Sequence, residues 1–374
     1  MKYPTGIVTV PSLVDLHVHL RQPGYDYKET ILTGSMAAAS AGYSDIFTMP
    51  NLDPVPDSVE HVQVQTDIIR RDAVIGVHPY AAITKGQKGT GELVDMKTLS
   101  NLVAGFSDDG RGIQDINLMR EAMLQCKEAG SVIVEHCEVE SLLNGGYIHD
   151  GSYARVHNHK GICSESEWRE VERNINLAAE TGCRLHLCHM STKESVQLIR
   201  EAKKSNLPVT AETAPHYLLL TEDDLREDGA WKMTPPLREK ADRDALIEAV
   251  GDGTIDCIAT DHAPHSEEEK SRGLEKSAMG IVGLETAFPL LYTYLVKKGL
   301  LPWETLIDAM ANRPRAIMGL DDEGCLATFN LDETYVIDPT TFRSKGKATP
   351  FKGWKVAGRC LKNQYKGKTV FTIQ

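Results

Sequence analysis

Two histidines stand two positions apart in the stretch DLHVHLRQPG, residues 15–24. In an extended strand, residues i and i+2 project to the same side. His17 and His19 can therefore aim their rings at one point, and neutral imidazole is a common metal ligand. Arg21 continues the same parity, and Pro23–Gly24 then turns the chain away. A lone pair of this kind could equally be two hydrogen-bonded core histidines, so recurrence has to decide. Further apolar runs end in FSDDG (Asp108, Asp109), VEHC (Glu135, His136), HLCHMS (His186, His189) and ATDHAPH (Asp261, His262, His265). A carboxylate at the end of an apolar strand is costly unless paired or metal-bound. Nitrogen and oxygen donors without thiolate suit zinc, or another divalent transition ion such as manganese or cobalt. The donors suffice for two ions sharing a hydroxide, with a neighbouring carboxylate to carry its proton. The chemistry read from the residues is metal-assisted hydrolysis.

Such donors must be brought to one place. Eight Val/Ile/Leu/Thr-rich runs read as strands: 12–20, 44–50, 74–83, 102–109, 131–137, 184–190, 208–217 and 254–264. Helical patterns lie between most of them, including 28–42, 116–130 and 164–182, the last opening on a capped, acid-rich turn at Ser164. Two more helices are expected at 283–299 and 302–319. Strands alternating with helices predict an α/β fold with a parallel sheet, and eight units predict a (β/α)8 TIM-type barrel. The strand ends of such a barrel converge on one mouth, where catalytic residues are found. From about 320 the texture changes to short strands and turns, predicting a small β appendage. The expected organisation is a lead-in at 1–11, a catalytic barrel at 12–319 and the appendage at 320–374.

The formal net charge of −12 argues against a sequence-independent grip on nucleic acid or an anionic membrane. No CxxC pair occurs among the eight cysteines, which read as reduced, mostly buried thiols. The N-terminus lacks a signal-peptide pattern, and no run approaches the roughly 18 apolar residues of a membrane span. A cytoplasmic location is expected.

Taken together, VDLHVHLRQPG, GYDYKET, FTMPN, GFSDDG, VEHCE, HLCHMSTKES, PPLR, IDCIATDHAPH, GIVGLETAFPLL and TPFKGWKVAG resemble the amidohydrolase superfamily, and within it the dihydroorotases. The resemblance spans nearly the whole chain, and HxHLRxPG combined with DHAPH is highly specific. It implies that His17, His19 and Asp261 hold one zinc ion, His136 and His189 a second, and that Asp109 bridges them. Between His186 and His189 the residues alone leave the choice open, and the resemblance selects His189. Asp261 is implied as general acid/base. The substrate contacts implied are His19, Arg21, Asn51, His265 and the backbone at Gly280 and Ile281, with Thr234 where the family usually has Asn. Arginine suits a carboxylate because its fork binds it bidentately.

The implied reaction is the reversible closure of N-carbamoyl-L-aspartate to L-dihydroorotate in pyrimidine synthesis. A small-molecule substrate, a homodimer and association with aspartate transcarbamoylase follow from the same resemblance. Alternatives are another cyclic amidohydrolase, such as an allantoinase or dihydropyrimidinase, or a non-catalytic dihydroorotase-like subunit. The 16 residues before His17 are fewer than in related chains, which predicts a minimal N-terminal share of the β appendage. Gln22, where the family has Glu, has no explanation in the sequence. His78 reads as structural, His149, His157 and His159 as solvated loop residues, and His216, His262 and Asp108 as support behind the site. Cys137 and Cys188 read as strand packing, and SEEEK (266–270) as a solvated segment.

Overall fold

The computed structural model describes residues 3–373. Its frame is mixed α/β with parallel sheets. Leu13–Val18, Tyr43–Thr48 and Gly76–Pro79 form one parallel sheet. Val132–Glu135, Arg184–Leu187, Val209–Thr213 and Cys257–Ile258 form another. Single parallel bridges join their edges: Phe106 meets Ala81 on one side and Ile133 on the other, and Val18 meets His262. Leu13–Val18, Tyr43–Thr48 and Val132–Glu135 are buried throughout, as strands covered on both faces must be. Val14, Leu16, Phe47, Tyr80 and Val134 belong to a buried cluster drawn largely from these strands.

The fourth expected strand, 102–109, is reduced to the bridges at Phe106. Gly105 there lies so close to its neighbour that a Cβ would come within 2.8 Å of Val132 Cγ1. Asp108 then takes the backbone N–H groups of Ile83 and Thr84, at 2.8 and 3.2 Å, in place of ladder partners. The run at 254–264 forms a strand only over Cys257–Ile258, with single bridges at His262, and that at 208–217 gives way at Pro215 to the helix Pro215–Leu219.

Ile31–Ser40, Ile116–Glu128 and Glu165–Thr181 form where the apolar spacing predicts them. Ser164, however, does not cap the third. The acid of that first turn serves the next helix instead. Buried Glu167 accepts from the N–H groups of Ser191 and Thr192 ahead of Lys193–Lys204. The expected helices at 283–299 and 302–319 are each interrupted by a wide turn, at Tyr292–Val296 and Asp308–Asn312. Pro314, just past the second, has no N–H to continue the ladder.

Ile7–Pro11, Leu326–Val336, Lys355–Tyr365 and Lys368–Thr372 make a separate antiparallel sheet, in that order. The connection between its second and third strands reaches back to the parallel strands. There Ser344 Oγ and Lys345 N donate to buried Glu29, whose Oε2 lies 3.5 Å from His262 Nε2. All eight cysteines are free, and seven are buried. No helix among the described residues is long and apolar enough to cross a membrane.

Buried Arg315 ties the first two strands together from outside. Its guanidinium donates to Ser12 O at 3.0 Å, Ser44 Oγ at 2.9 Å, Asp321 O at 3.0 Å and Asp45 Oδ2 at 3.4 Å. Removing one partner of a buried ion pair leaves the other uncompensated. Arg315→Met is therefore expected to cost about 3 kcal/mol, read as a fall in urea midpoint at unchanged slope.

Candidate active site

The site is assembled where the parallel strands end. His17 lies one residue before the end of Leu13–Val18, and His19 N donates to His262 O at 2.8 Å, which holds the first and last strands in register. Asp108 faces outward to the backbone, while Asp109 beside it enters the cavity. His136 follows Val132–Glu135, and His189 and Asp261 follow their strands in left-handed backbone, at φ 38° and 48°. Arg21 has φ 61°. Non-glycine residues rarely adopt this conformation, and when they do it concentrates at functional sites.

Asp109 lies among four imidazoles. Oδ1 is 3.3 Å from His17 Nε2 and 3.7 Å from both His136 Nδ1 and His189 Nε2, while Oδ2 is 3.5 Å from His19 Nε2. Asp261 Oδ1 lies 3.1 Å from His19 Nε2 and 3.5 Å from His17 Nε2. All six residues are buried. Burial opposes the charge on both aspartates, and the surrounding histidines, His17 foremost, outweigh it and hold both well below the usual carboxylate range. His17 Nε2 and Asp109 Oδ1 are buried without a hydrogen-bond partner. Two groups of three, His17–Asp109–His189 and His17–His19–Asp261, bring one donor atom per residue within metal-binding range. Unpartnered imidazole nitrogen beside unpartnered carboxylate oxygen is the donor set a hard or borderline cation satisfies.

Behind this layer stands Glu212, which sequence reasoning missed. Oε1 is 3.0 Å from His17 Nδ1 and Oε2 is 3.1 Å from His186 Nε2. Burial raises its pKa, but these two hydrogen bonds prevail and hold it at about 2. A carboxylate on Nδ1 fixes the tautomer that leaves Nε2 free for the cavity. His186 is thereby assigned to Glu212 and Thr210, and His189 to the cavity. The available signal was an acid inside a largely buried strand, AET at 211–213.

The cavity, of about 270 Å³, is lined by His19, Arg21, Asn51, Asp109, His136, His189, Thr234, Asp261, His265, Met279 and Gly280, among others. Asn51 Oδ1 meets His19 Nδ1 at 3.0 Å, so Asn51 also orients a proposed ligand. Thr234 Oγ1 donates to Glu138 Oε1 at 3.2 Å, and Glu138 Oε2 lies 3.7 Å from His136 Nε2. His265 Nε2 donates to Met279 O at 2.7 Å. Burial, with Arg21, Lys28 and Lys270 nearby, pushes the pKa of His265 down to about 3, so its ring is neutral. Ile281 does not line the cavity, because its backbone is spent on the parallel bridge to His262 and on accepting from Ala263 N.

Away from the cavity, several expectations change. His149 is not solvated: it is buried against Arg238, its Nδ1 3.2 Å from Nη1. His159 pairs with Glu227 at 2.9 Å. His78 stays structural as expected, serving Asp45, also at 2.9 Å. Gln22 acquires a reason. Its amide donates to Asp26 Oδ1 at 2.5 Å and accepts from Ile31 N at 3.0 Å, capping Ile31–Ser40. Glutamate could do only the second, and would face Asp26 with like charge. Lys270 of the SEEEK segment is buried rather than solvated.

Comparison with known proteins matches this arrangement to one family. The profile described as "Dihydro-orotase-like" fits residues 6–195. Dihydroorotases of Bacillus cytotoxicus and Shouchella clausii are each 48% identical over 98% of this chain, and 87% and 88% of their own lengths. The chain belongs to the dihydroorotase family. Among solved structures, the L-hydantoinase (dihydropyrimidinase) of Arthrobacter aurescens superposes at TM-score 0.87 with 25% identity, over 97% of this chain and 85% of its own. The dihydropyrimidinase of Brevibacillus agri follows at 0.83 and 21%, over 98% and 86%, a likeness of fold. Within the dihydroorotase family, this chain carries an aspartate at the centre of its histidine cluster, and no lysine lines the cavity among the described residues.

Glu212 generates a test that involves no turnover. Glu212→Ala frees the His17 ring and is expected to weaken metal retention about 10- to 100-fold. Metal content after dialysis against graded chelator measures this, and equal retention by both proteins would show that Glu212 does not orient a ligand.

Proposed function

We propose that the chain is an active dihydroorotase, which interconverts N-carbamoyl-L-aspartate and L-dihydroorotate in pyrimidine biosynthesis with two zinc ions per subunit. The observation that carries this reading is Asp109, set 3.3–3.7 Å from four imidazoles in a cavity that Arg21 also lines. His17, His19 and Asp261 would hold one ion and His136 and His189 the other, with Asp109 shared. Bound zinc supplies Lewis acidity and makes water acidic enough to be a nucleophile near neutral pH.

The remaining work belongs to the chain. Arg21 and the Asn51 amide bind the substrate carboxylate, and neutral His265 contacts the substrate without adding charge. Thr234 and the Gly280 backbone close the wall. In the hydrolytic direction, oxygen from water adds to the ring amide carbonyl, and the C–N bond breaks. Asp261 takes the proton from the water and returns it to the departing nitrogen. Ring closure is the reverse of these steps.

The two sheets and the bridges at Ala81, Phe106, Ile133, Val18 and His262 support a closed (β/α)8 barrel over 12–319. Residues 1–11 and 320–374 would form the appendage. Family membership supports a homodimer, association with aspartate transcarbamoylase and a cytoplasmic location. Hydantoinase-type activity is the second reading, favoured by the solved structures that superpose. The aspartate in place of a lysine, and the arginine in the cavity wall, argue against it.

One assay separates these readings. Purified protein of known metal content is offered dihydroorotate, hydantoin and allantoin. Turnover of dihydroorotate alone is expected, lost on chelation and restored by zinc. Turnover of hydantoin instead, or none with metal bound, overturns the proposal. Asp261→Asn is expected to fold and to lower kcat about 10²- to 10⁴-fold, the usual worth of a positioned general base. Substantial residual activity would place the base elsewhere.

A further inference from the structure

The acid-rich segment after DHAPH ends in a lysine that does not behave as a surface residue. Lys270 is 7% exposed, and its Nζ donates to Ala278 O at 2.7 Å, Gly280 O at 2.7 Å and Lys232 O at 3.1 Å. Burial, with Lys232 nearby, pushes its pKa down to about 7, and in its ammonium form each of its three N–H groups has a carbonyl. The surrounding bonds close the knot. Gly280 N donates to Lys232 O at 3.0 Å, Ala278 N to Glu269 O at 3.0 Å, and Ser277 Oγ to Lys270 O at 3.0 Å. Met279 O, between the two pinned carbonyls, accepts from His265 Nε2.

Met279 and Gly280 form part of the cavity wall beside Arg21, Asn51 and Asp261, whereas Lys270 does not line that cavity. The successive carbonyls of Ala278, Met279 and Gly280 are all engaged by side chains, and the last two of these residues line the cavity. The packing leaves little slack: Gly280 has φ +127°, and a Cβ there would lie 2.7 Å from Ala263 Cβ. Free carbonyl oxygens in this wall would repel an anionic substrate.

We infer that Lys270 is a positioning residue for substrate binding: it holds the wall loop 278–280 with its carbonyl oxygens engaged, so that the wall accepts a carboxylate-bearing ring. The inference rests on the dihydroorotase reading for its substrate and on geometry for the loop. Lys270→Met keeps the length of the side chain and removes the three donors. Its KM for dihydroorotate is expected to rise about tenfold or more, the scale of one charge-assisted hydrogen bond, with a smaller change in kcat and unchanged bound metal. Amide hydrogen exchange in 277–281 should rise, while exchange around His17 and His189 should not. If Lys270→Met does not fold, Lys270→Gln, with two donors left, gives the same comparison. Unchanged KM and unchanged exchange overturn the inference, as does a fall in kcat together with lost metal at constant KM. If the wild-type protein does not turn over dihydroorotate, the functional reading fails, and the exchange difference in 277–281 still decides the role of Lys270 in the loop.

Discussion

Four imidazoles and two carboxylates share one buried volume, and the rest of the structure can be understood as what keeps them there. Carboxylates out of water are unfavourable without positive charge nearby. The surrounding histidines supply part of it, and Asp109 still keeps a buried oxygen with no hydrogen-bond partner. A cation shared among these donors would resolve both problems, and would make metal binding and the stability of this region one quantity.

The fold meets this constraint by letting many separate strand ends contribute one or two groups each. Left-handed backbone at His189 and Asp261 turns the chain at the point where the side chain must enter the cavity. Supporting carboxylates then fix the rings from behind: Glu212 holds His17 and His186, and Glu138 stands beside His136. The asymmetry between neighbouring acids is instructive. Asp108 satisfies backbone N–H groups and Asp109 does not, so of two identical neighbouring side chains one is spent on the backbone and the other is left free to face the cavity.

The histidines and aspartates of the cavity were legible in the sequence because each lies at the end of an apolar run, where period and burial make a charged or ring-nitrogen group conspicuous. The strand alternation was legible for the same reason. What escaped was whatever depends on pairing across long separations. Glu212 reads as an ordinary strand residue until His17, 195 positions earlier, is placed against it. Arg315 and Lys270 look like helix-surface cations until their carbonyl partners are known. The strand expected at 102–109 is cut short because Asp108 turns aside to the N–H groups of Ile83 and Thr84, a competition that a run of apolar letters does not record. Gln22 needed both of its partners, Asp26 and Ile31, before its amide made sense.

The tie from Ser344 and Lys345 to Glu29, and from Glu29 toward His262, joins the antiparallel sheet to the cavity. His262 follows Asp261 directly, so a group next to the proposed base is braced by a loop 315 positions beyond Glu29. Loosening of the antiparallel sheet would therefore be felt beside the proposed base, although that sheet contributes no residue to the cavity wall.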